Sequence, residues 1–162
     1  MGFVRKEFLH IFRDYRTLII LFGIPAAQIL LFGYVVSTDV KNAGIAFLDF
    51  SRDEMTEKLT NTICSSGFFR KTEDLTSYDD IDRILKKKDT KAVVVFERDF
   101  GSNLQSGRNA GLSIIADGSE PNSATLITNY LTAVISDFNR QVAGTSQPGA
   151  GLVEPEVRMF FN

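Results

Sequence analysis

The side chains best placed for chemistry in this sequence are two aspartates at the ends of predicted strands. Asp49 and Asp117 each follow a buried, apolar run, the position at which α/β sheets usually bind ligands. A carboxylate there could bind a ligand or take part in catalysis. Both residues also lie in turn and helix-cap sequences, Asp-Phe-Ser and Asp-Gly-Ser-Glu, which need no ligand to explain them. We therefore favour a structural role and keep an enzyme as a weak alternative.

Nucleophilic and metal chemistry find little support among the remaining residues. Ser51, Ser119 and Ser123 would each need a base to act as a nucleophile. The one histidine, His10, is expected to lie across a membrane from them. The one cysteine, Cys64, lies on the apolar side of a predicted helix and is interpreted as a small buried hydrophobic residue. With so few zinc donors, we predict no catalytic, cofactor-binding or metal-binding residue.

Composition and charge argue against two further classes of protein. The chain has 162 residues, of which 23% are charged, and its net charge is -2 at pH 7. A nucleic-acid-binding protein usually carries a basic excess, so no nucleic-acid partner is expected. No phosphate-binding loop of the form GxxxxGKS or GxxxxGKT occurs, so the chain is not expected to hydrolyse nucleotides by that mechanism. The run Lys86–Lys88 ends a predicted helix, where cations suit the helix dipole.

An uncharged segment near the amino terminus predicts a transmembrane helix. Residues 17–38 contain no charged side chain, and at about 1.5 Å per residue they span about 33 Å, enough to cross a hydrocarbon core of about 30 Å. A core helix of a soluble protein is a weaker alternative, because the segment has no polar face. A cleaved signal peptide would have a shorter apolar region and a small-x-small cleavage site. We therefore expect an uncleaved anchor.

The charged flank of this segment predicts its orientation. Basic residues close to a span remain in the cytoplasm, and here they precede it: Arg5, Lys6, Arg13 and Arg16. The amino terminus is therefore expected in the cytoplasm and residues 39–162 outside it. Residues 1–16 carry apolar side chains at helical spacing and predict an amphipathic helix at the cytoplasmic interface, against lipid or another subunit.

Three residues inside the span favour a bundle of several membrane helices. Pro25, close to Gly23, removes one backbone hydrogen bond, and Gln28 carries an amide that has no partner in lipid. Neighbouring helices can satisfy such groups, although natural spans also tolerate them.

Residues 39–162 predict one compact α/β domain with a mixed sheet of about four to five strands and flanking helices. The predicted strands are 43–50, 68–72, 91–96, 111–117 and 153–161. The predicted helices are 54–65, 77–88 and 124–142, with a short helix or turn at 99–107. Residues 143–153 are rich in Gly, Ser and Pro and predict a flexible connection.

Several motifs, taken together and in order, resemble bacterial ABC exporter permeases of the type-2 class. The first membrane segment of that family is similar to residues 13–18, 22–25 and 31–34. Its extracytoplasmic strand and turn, its central strand with the following turn, and the sequence before its long helix resemble residues 48–52, 92–100 and 117–124. The resemblance covers nearly the whole chain.

The resemblance implies the membrane-spanning permease portion of an ATP-driven exporter of a drug, lipid or other hydrophobic compound. It places the chain in the lipid bilayer of the bacterial cytoplasmic (inner) membrane, with a separate cytoplasmic ATPase subunit and with a second permease subunit or further spans as partners. Family members continue beyond the outer domain, whereas this sequence stops at Asn162, so we expect a truncated or partial permease. A single-pass protein whose outer domain binds a ligand or partner, as a sensor or adaptor, is the alternative.

Overall fold

A computed structural model describes residues 14–35, 42–145 and 151–160 of the chain. Two compact units divide between Asp39 and Val40. The amphipathic helix predicted over residues 1–16 lies outside the described residues, except for its last three positions. It therefore stays a prediction.

The first unit contains one long apolar helix, α1, Tyr15–Val35. The carboxylate of Asp14 caps its start, because it accepts hydrogen bonds from the Arg16 amide (3.0 Å) and the Thr17 hydroxyl (2.7 Å). None of the stretch Tyr15–Gly33 is buried, and by length and composition it could cross a membrane. The helix begins two residues before the predicted span and, within the described residues, covers it up to Val35.

The second unit is built on a five-stranded mixed sheet with the order β2-β1-β3-β4-β5. Its strands are β1 Ala43–Asp49, β2 Phe69–Leu75, β3 Ala92–Phe96, β4 Ala110–Asp117 and β5 Val153–Phe160. Its helices are α2 Glu54–Ser65, α3 Asp79–Leu85, α4 Phe100–Gln105 and α5 Pro121–Thr145. β1 runs parallel to β2 and β3, β4 runs antiparallel to β3, and β5 runs parallel to β4. The predicted α/β class with a mixed sheet of four to five strands is confirmed.

Apolar side chains cover both faces of the sheet. The larger cluster packs α2, α4 and α5 on one face, around Leu59, Phe100 and Leu131. The smaller cluster packs α3 on the other face, around Ile84. Every residue of β3 is buried, because this strand has a neighbour on each side and helices on each face. Its uninterrupted run of apolar residues predicted this position.

The edge strand β2 and the helix α3 differ from their predicted bounds. β2 was expected to end at residue 72 but continues to Leu75, because the charged side chains of an edge strand can remain in water. α3 occupies only Asp79–Leu85 of the predicted 77–88, and no side chain bonds at its N-cap Tyr78. The expected reciprocal cap of Ser77 and Asp80 is wrong: Ser77 accepts from the Asp79 amide, and the Asp80 carboxylate pairs with Arg83.

The long helix α5 extends beyond both predicted ends. It begins at Pro121, a residue that suits the first turn of a helix because it has no amide hydrogen to leave unpaired. It continues to Thr145, so the first three residues of the predicted connection 143–153 are helical. The last residue of that connection, Val153, begins β5.

Candidate functional site

The two predicted aspartates lie at opposite edges of the sheet. Asp49 pairs with Phe96, the last residue of β3, whereas the Asp117 amide donates to the Lys91 carbonyl, just before β3 begins (3.0 Å). The five steps from Lys91 to Phe96 along a strand correspond to about 16 Å. The two carboxylates therefore cannot act on one small ligand.

The edge that contains Asp49 holds a connected group of polar side chains, which we call the carboxylate hub: Asp49, Ser51, Asp53 and Thr56. One oxygen of Asp49 accepts from the amides of Ser51 (2.9 Å) and Arg52 (2.8 Å). Its other oxygen accepts from the Thr56 hydroxyl (2.6 Å). Asp49 thus folds the turn after β1 and fastens it to the first turn of α2.

Asp53 is the centre of the hub and the N-cap of α2. Its Oδ1 accepts from the amides of Met55 (2.8 Å) and Thr56 (3.0 Å), and its Oδ2 accepts from the Ser51 hydroxyl and the Gly101 amide (2.8 Å). Burial raises the pKa of this carboxyl, but the hydrogen bonds from Ser51, Thr56, Gly101 and Met55 outweigh it and hold the pKa below its usual value. Asp53 therefore stays ionised at neutral pH.

The hub joins α2 to α4 through backbone amides. The Phe100 amide donates to the Ser51 hydroxyl (2.9 Å), beside the Gly101 amide that reaches Asp53. A Cβ atom at Gly101 would lie 2.7 Å from the carboxyl carbon of Asp53, closer than side chains approach. Glycine is therefore needed here for contact between backbone and carboxylate.

The hydrogen bonds of the hub support the structural interpretation of Asp49 and Ser51. The Ser51 hydroxyl donates to Asp53 and accepts from Phe100, so its oxygen is engaged rather than presented to a substrate. Across residues 14–35, 42–145 and 151–160, no group of three or more His, Cys, Asp or Glu residues could hold a metal ion. The arrangement positions helices and offers no pairing of nucleophile and base.

Sequence reasoning did not identify Asp53, although a local signal was present. Asp53 and Thr56 are three residues apart at the start of a periodic apolar segment, the spacing of a capping box. The box forms, because the Thr56 hydroxyl accepts from the Asp53 amide (3.2 Å). The bond to Gly101 had no such signal, because that residue is 48 positions further along the chain.

The opposite edge of the sheet, which we call the entry edge, is where the domain begins and where β5 ends. A row of backbone hydrogen bonds crosses it: Lys91 amide to Gly44 carbonyl (2.8 Å), Asp117 amide to Lys91 carbonyl (3.0 Å), and Gly118 amide to Phe160 carbonyl (2.7 Å). The start of β1, the turn after β4 and the end of β5 therefore lie side by side.

The turn after β4 is also held by its own side chains. The Asp117 carboxylate accepts from the Ser119 amide (2.9 Å), and the Ser123 hydroxyl donates to Glu120 (3.2 Å). Glu120 in turn lies 3.8 Å from the Lys91 ammonium. Asp117, Ser119 and Ser123 are thus brought together, but in a turn that leads into α5.

Cys64 and the lysine run occupy the environments predicted for them. Cys64 is half-buried and packs against the larger core, and burial raises the pKa of its thiol, which disfavours the reactive thiolate. Lys86 pairs with Asp82 (2.7 Å), and Lys87 pairs with Glu73 (3.2 Å). His10 lies outside the described residues.

A surface depression of about 510 Å³ lies beside β4 and β5, next to Gly111. Its charged lining consists of Glu97, Glu154 and Glu156. Glu154 accepts from the Asn109 amide (3.3 Å), and Glu156 pairs with Arg158 (3.0 Å). Two of its three carboxylates are therefore already engaged by the protein.

Comparison with known proteins identifies the family. Residues 15–155 match the family described as ABC-2 family transporter protein. The chain is 28% identical over 159 residues to YbhR of Escherichia coli K12, a "Probable multidrug ABC transporter permease", covering 98% of this chain and 43% of that protein. It is 26% identical over 162 residues to YbhS, named in the same way, covering 97% of this chain and 42% of the relative. The chain thus spans less than half the length of these relatives.

A solved structure shares the fold. A domain from Thermotoga maritima MSB8, titled as part of an ABC type-2 transporter, superposes with a TM-score of 0.60 at 16% identity, over 73% of this chain and 86% of that one. The resemblance inferred from the motifs is confirmed by the family match, which includes α1 and nearly all of the α/β domain. The chain is a member of the ABC-2 family of transporter proteins.

Proposed function

We propose that the chain is the amino-terminal permease portion of an ATP-driven ABC exporter in the bacterial inner membrane. The support is a family match that extends from α1 through the α/β domain, together with relatives named as multidrug ABC transporter permeases. The proposed cargo is a drug, a lipid or another hydrophobic compound. The described polar clusters position helices and turns, as expected of a transport component rather than an enzyme.

The observation that carries the proposal is the shared edge at which the domain begins and β5 ends. Gly44, at the start of β1, and Phe160, at the end of β5, belong to one row of hydrogen bonds. A domain inserted between two membrane spans needs its two ends close together, whereas a terminal domain has no such requirement. The fold therefore suits an outer domain between successive spans.

The proposed topology places the amino terminus in the cytoplasm and residues 39–162 outside it. The basic residues before the span support this orientation. The ATP-hydrolysing partner is a separate cytoplasmic ATPase subunit, and a second permease subunit or further spans complete the pathway. One helix such as α1 cannot enclose a pathway by itself.

The topology can be tested by labelling single cysteines in cells. In a Cys64→Ala background, Lys88→Cys is expected to react with a membrane-impermeant maleimide in intact spheroplasts, because Lys88 is exposed in the outer domain. Lys6→Cys is the matched control and is expected to react only after lysis. The reverse pattern would overturn the proposed orientation.

The transport role can be tested by purifying the tagged native gene product in mild detergent. We expect a stoichiometric second subunit and ATP hydrolysis by the purified complex, abolished when the ATPase subunit is stripped away. A monomeric anchor without ATPase activity would overturn the permease proposal and favour the sensor or adaptor.

A further inference from the structure

β5 is the most weakly held strand of the sheet. It has one neighbour, β4, with which it forms a regular parallel ladder from Ala110↔Val153 to Asp117↔Phe160. Val153 is its one buried residue, whereas all five residues of β3 are buried. Even the apolar side chains of Val157 and Met159 are 43% and 38% exposed. Local opening costs less where few apolar contacts are lost, so β5 should open before the rest of the sheet.

One side chain fastens the beginning of β5 from outside the ladder. Asn139, half-buried on α5, donates from Nδ2 to the Val153 carbonyl (2.9 Å) and accepts at Oδ1 from the Val153 amide (2.9 Å). In a parallel ladder, alternate residues direct their backbone groups away from the neighbouring strand. The Asn139 amide therefore satisfies the groups of Val153 that an edge strand would leave to water.

The two ends of β5 are held in different ways. At the start, Val153 is buried and doubly bonded to Asn139, and the Leu152 carbonyl accepts from Ala110 (2.9 Å). At the other end, at the entry edge, the Phe160 carbonyl accepts from the Gly118 amide (2.7 Å), and the Phe160 side chain is only partly buried. Force applied where the chain leaves β5 would therefore separate the strand from Phe160 towards Val153.

We propose that β5 is a detachable strap. Residues 154–160 separate from β4 as a unit, while Asn139 keeps Val153 attached to α5. Detachment lengthens the connection at the entry edge and exposes the backbone groups of β4 without unfolding β1, β2 or β3. The strap is a property of the α/β domain and does not depend on the transport function.

Hydrogen exchange with mass spectrometry on the full chain in detergent tests the strap. Peptides covering 154–160 are expected to exchange at least about 100-fold faster than peptides covering β3. Asn139→Ala is expected to speed exchange over 152–160 by about tenfold further and to leave β1 and β3 unchanged, because two hydrogen bonds to Val153 are lost. Asn139→Asp keeps the acceptor for the Val153 amide and loses the donor, so an intermediate rate is expected.

Asn129→Ala is the matched control, because Asn129 is an exposed asparagine on the same helix. It should leave exchange in β5 unchanged. Exchange of residues 154–160 at the rate of β3 would overturn the strap. An equal acceleration across the whole sheet in Asn139→Ala would also overturn it, because Asn139 would then support the fold as a whole. Neither outcome bears on ATPase association, so the permease proposal is tested separately.

Discussion

Replacing Asp53 by alanine should destabilise the α/β domain more than any other single carboxylate change in the two turns described above. The side chain accepts four hydrogen bonds, from the amides of Met55, Thr56 and Gly101 and from the Ser51 hydroxyl. Two of these bonds cap α2, and the other two connect the turn after β1 with α4. The substitution removes all four acceptor contacts while adding no bulk.

The magnitude follows from the two roles of the side chain. Loss of an N-cap costs about 1 kcal/mol, and leaving the buried Gly101 amide without its acceptor costs about 1–2 kcal/mol more. Since one carboxylate serves both roles, the terms are not fully additive, and a total of about 2–3 kcal/mol is expected. For a domain of this size the melting temperature should fall by about 10 °C.

Cys64 provides a built-in probe for the measurement. It is the one cysteine of the chain and is half-buried against the larger core, so its reaction with a maleimide should report unfolding of the domain and not of α1. The full chain in detergent is incubated in a urea series, pulsed with reagent, and the labelled fraction is fitted to give the free energy of unfolding.

Asp117→Ala is the matched control, because Asp117 is also an aspartate in a turn after a strand. Its carboxylate accepts one described hydrogen bond, from the Ser119 amide, so a cost below about 1 kcal/mol is expected. Equal costs for the two variants, or an Asp53→Ala cost within about 0.5 kcal/mol of zero, would show that the hub does not hold α2 and α4 together.

Three further predictions use the same unfolding assay. Gly101→Ala should cost about 1–3 kcal/mol because its Cβ would meet the Asp53 carboxylate, whereas Gly144→Ala, in open space on α5, should stabilise by up to about 0.5 kcal/mol; similar signs would contradict the close approach. Folding lowers the pKa of Asp53 from its ordinary 3.8, so the unfolded chain binds more protons and stability is lost as pH falls below about 4; Asp53→Asn should lose less over that interval, and parallel curves would contradict this. Leu131→Ala, fully buried in the larger core, should cost about 2–5 kcal/mol, and a cost near zero would mean that α5 is not packed as described.

The elements that sequence patterns located well are those whose environment is uniform along their length. β3 is apolar throughout because it is covered on both faces, and α1 is apolar throughout within residues 17–33. β2 was shortened in the prediction because it mixes one buried face end with charges such as Lys71 and Asp74, which pair at its surface (2.8 Å). Only its position beside β1 makes it a strand.

The hub was recoverable only in part from sequence. A capping box between Asp53 and Thr56 is a local pattern, whereas the approach of Gly101 depends on how α2 and α4 pack on one face of the sheet. The separation of Asp49 from Asp117 depends on the direction of β4, which strand composition does not encode. An apolar run reads the same in a parallel and in an antiparallel strand unless its neighbours are known.

The direction of β4 decides both the chemistry and the connectivity of the domain. A parallel β4 would place Asp117 beside Asp49, at the kind of edge where doubly wound sheets bind ligands, and β5, which follows β4 in direction, would end at the hub. Because β4 runs antiparallel to β3, the Asp117 turn instead joins Gly44, Lys91 and Phe160 at the entry edge. The hub therefore stabilises the domain at one edge, while its chain connections are gathered at the other. Substitutions in the hub should accordingly change stability, whereas substitutions in the turn after β4 should change how the domain is connected to the segments on either side.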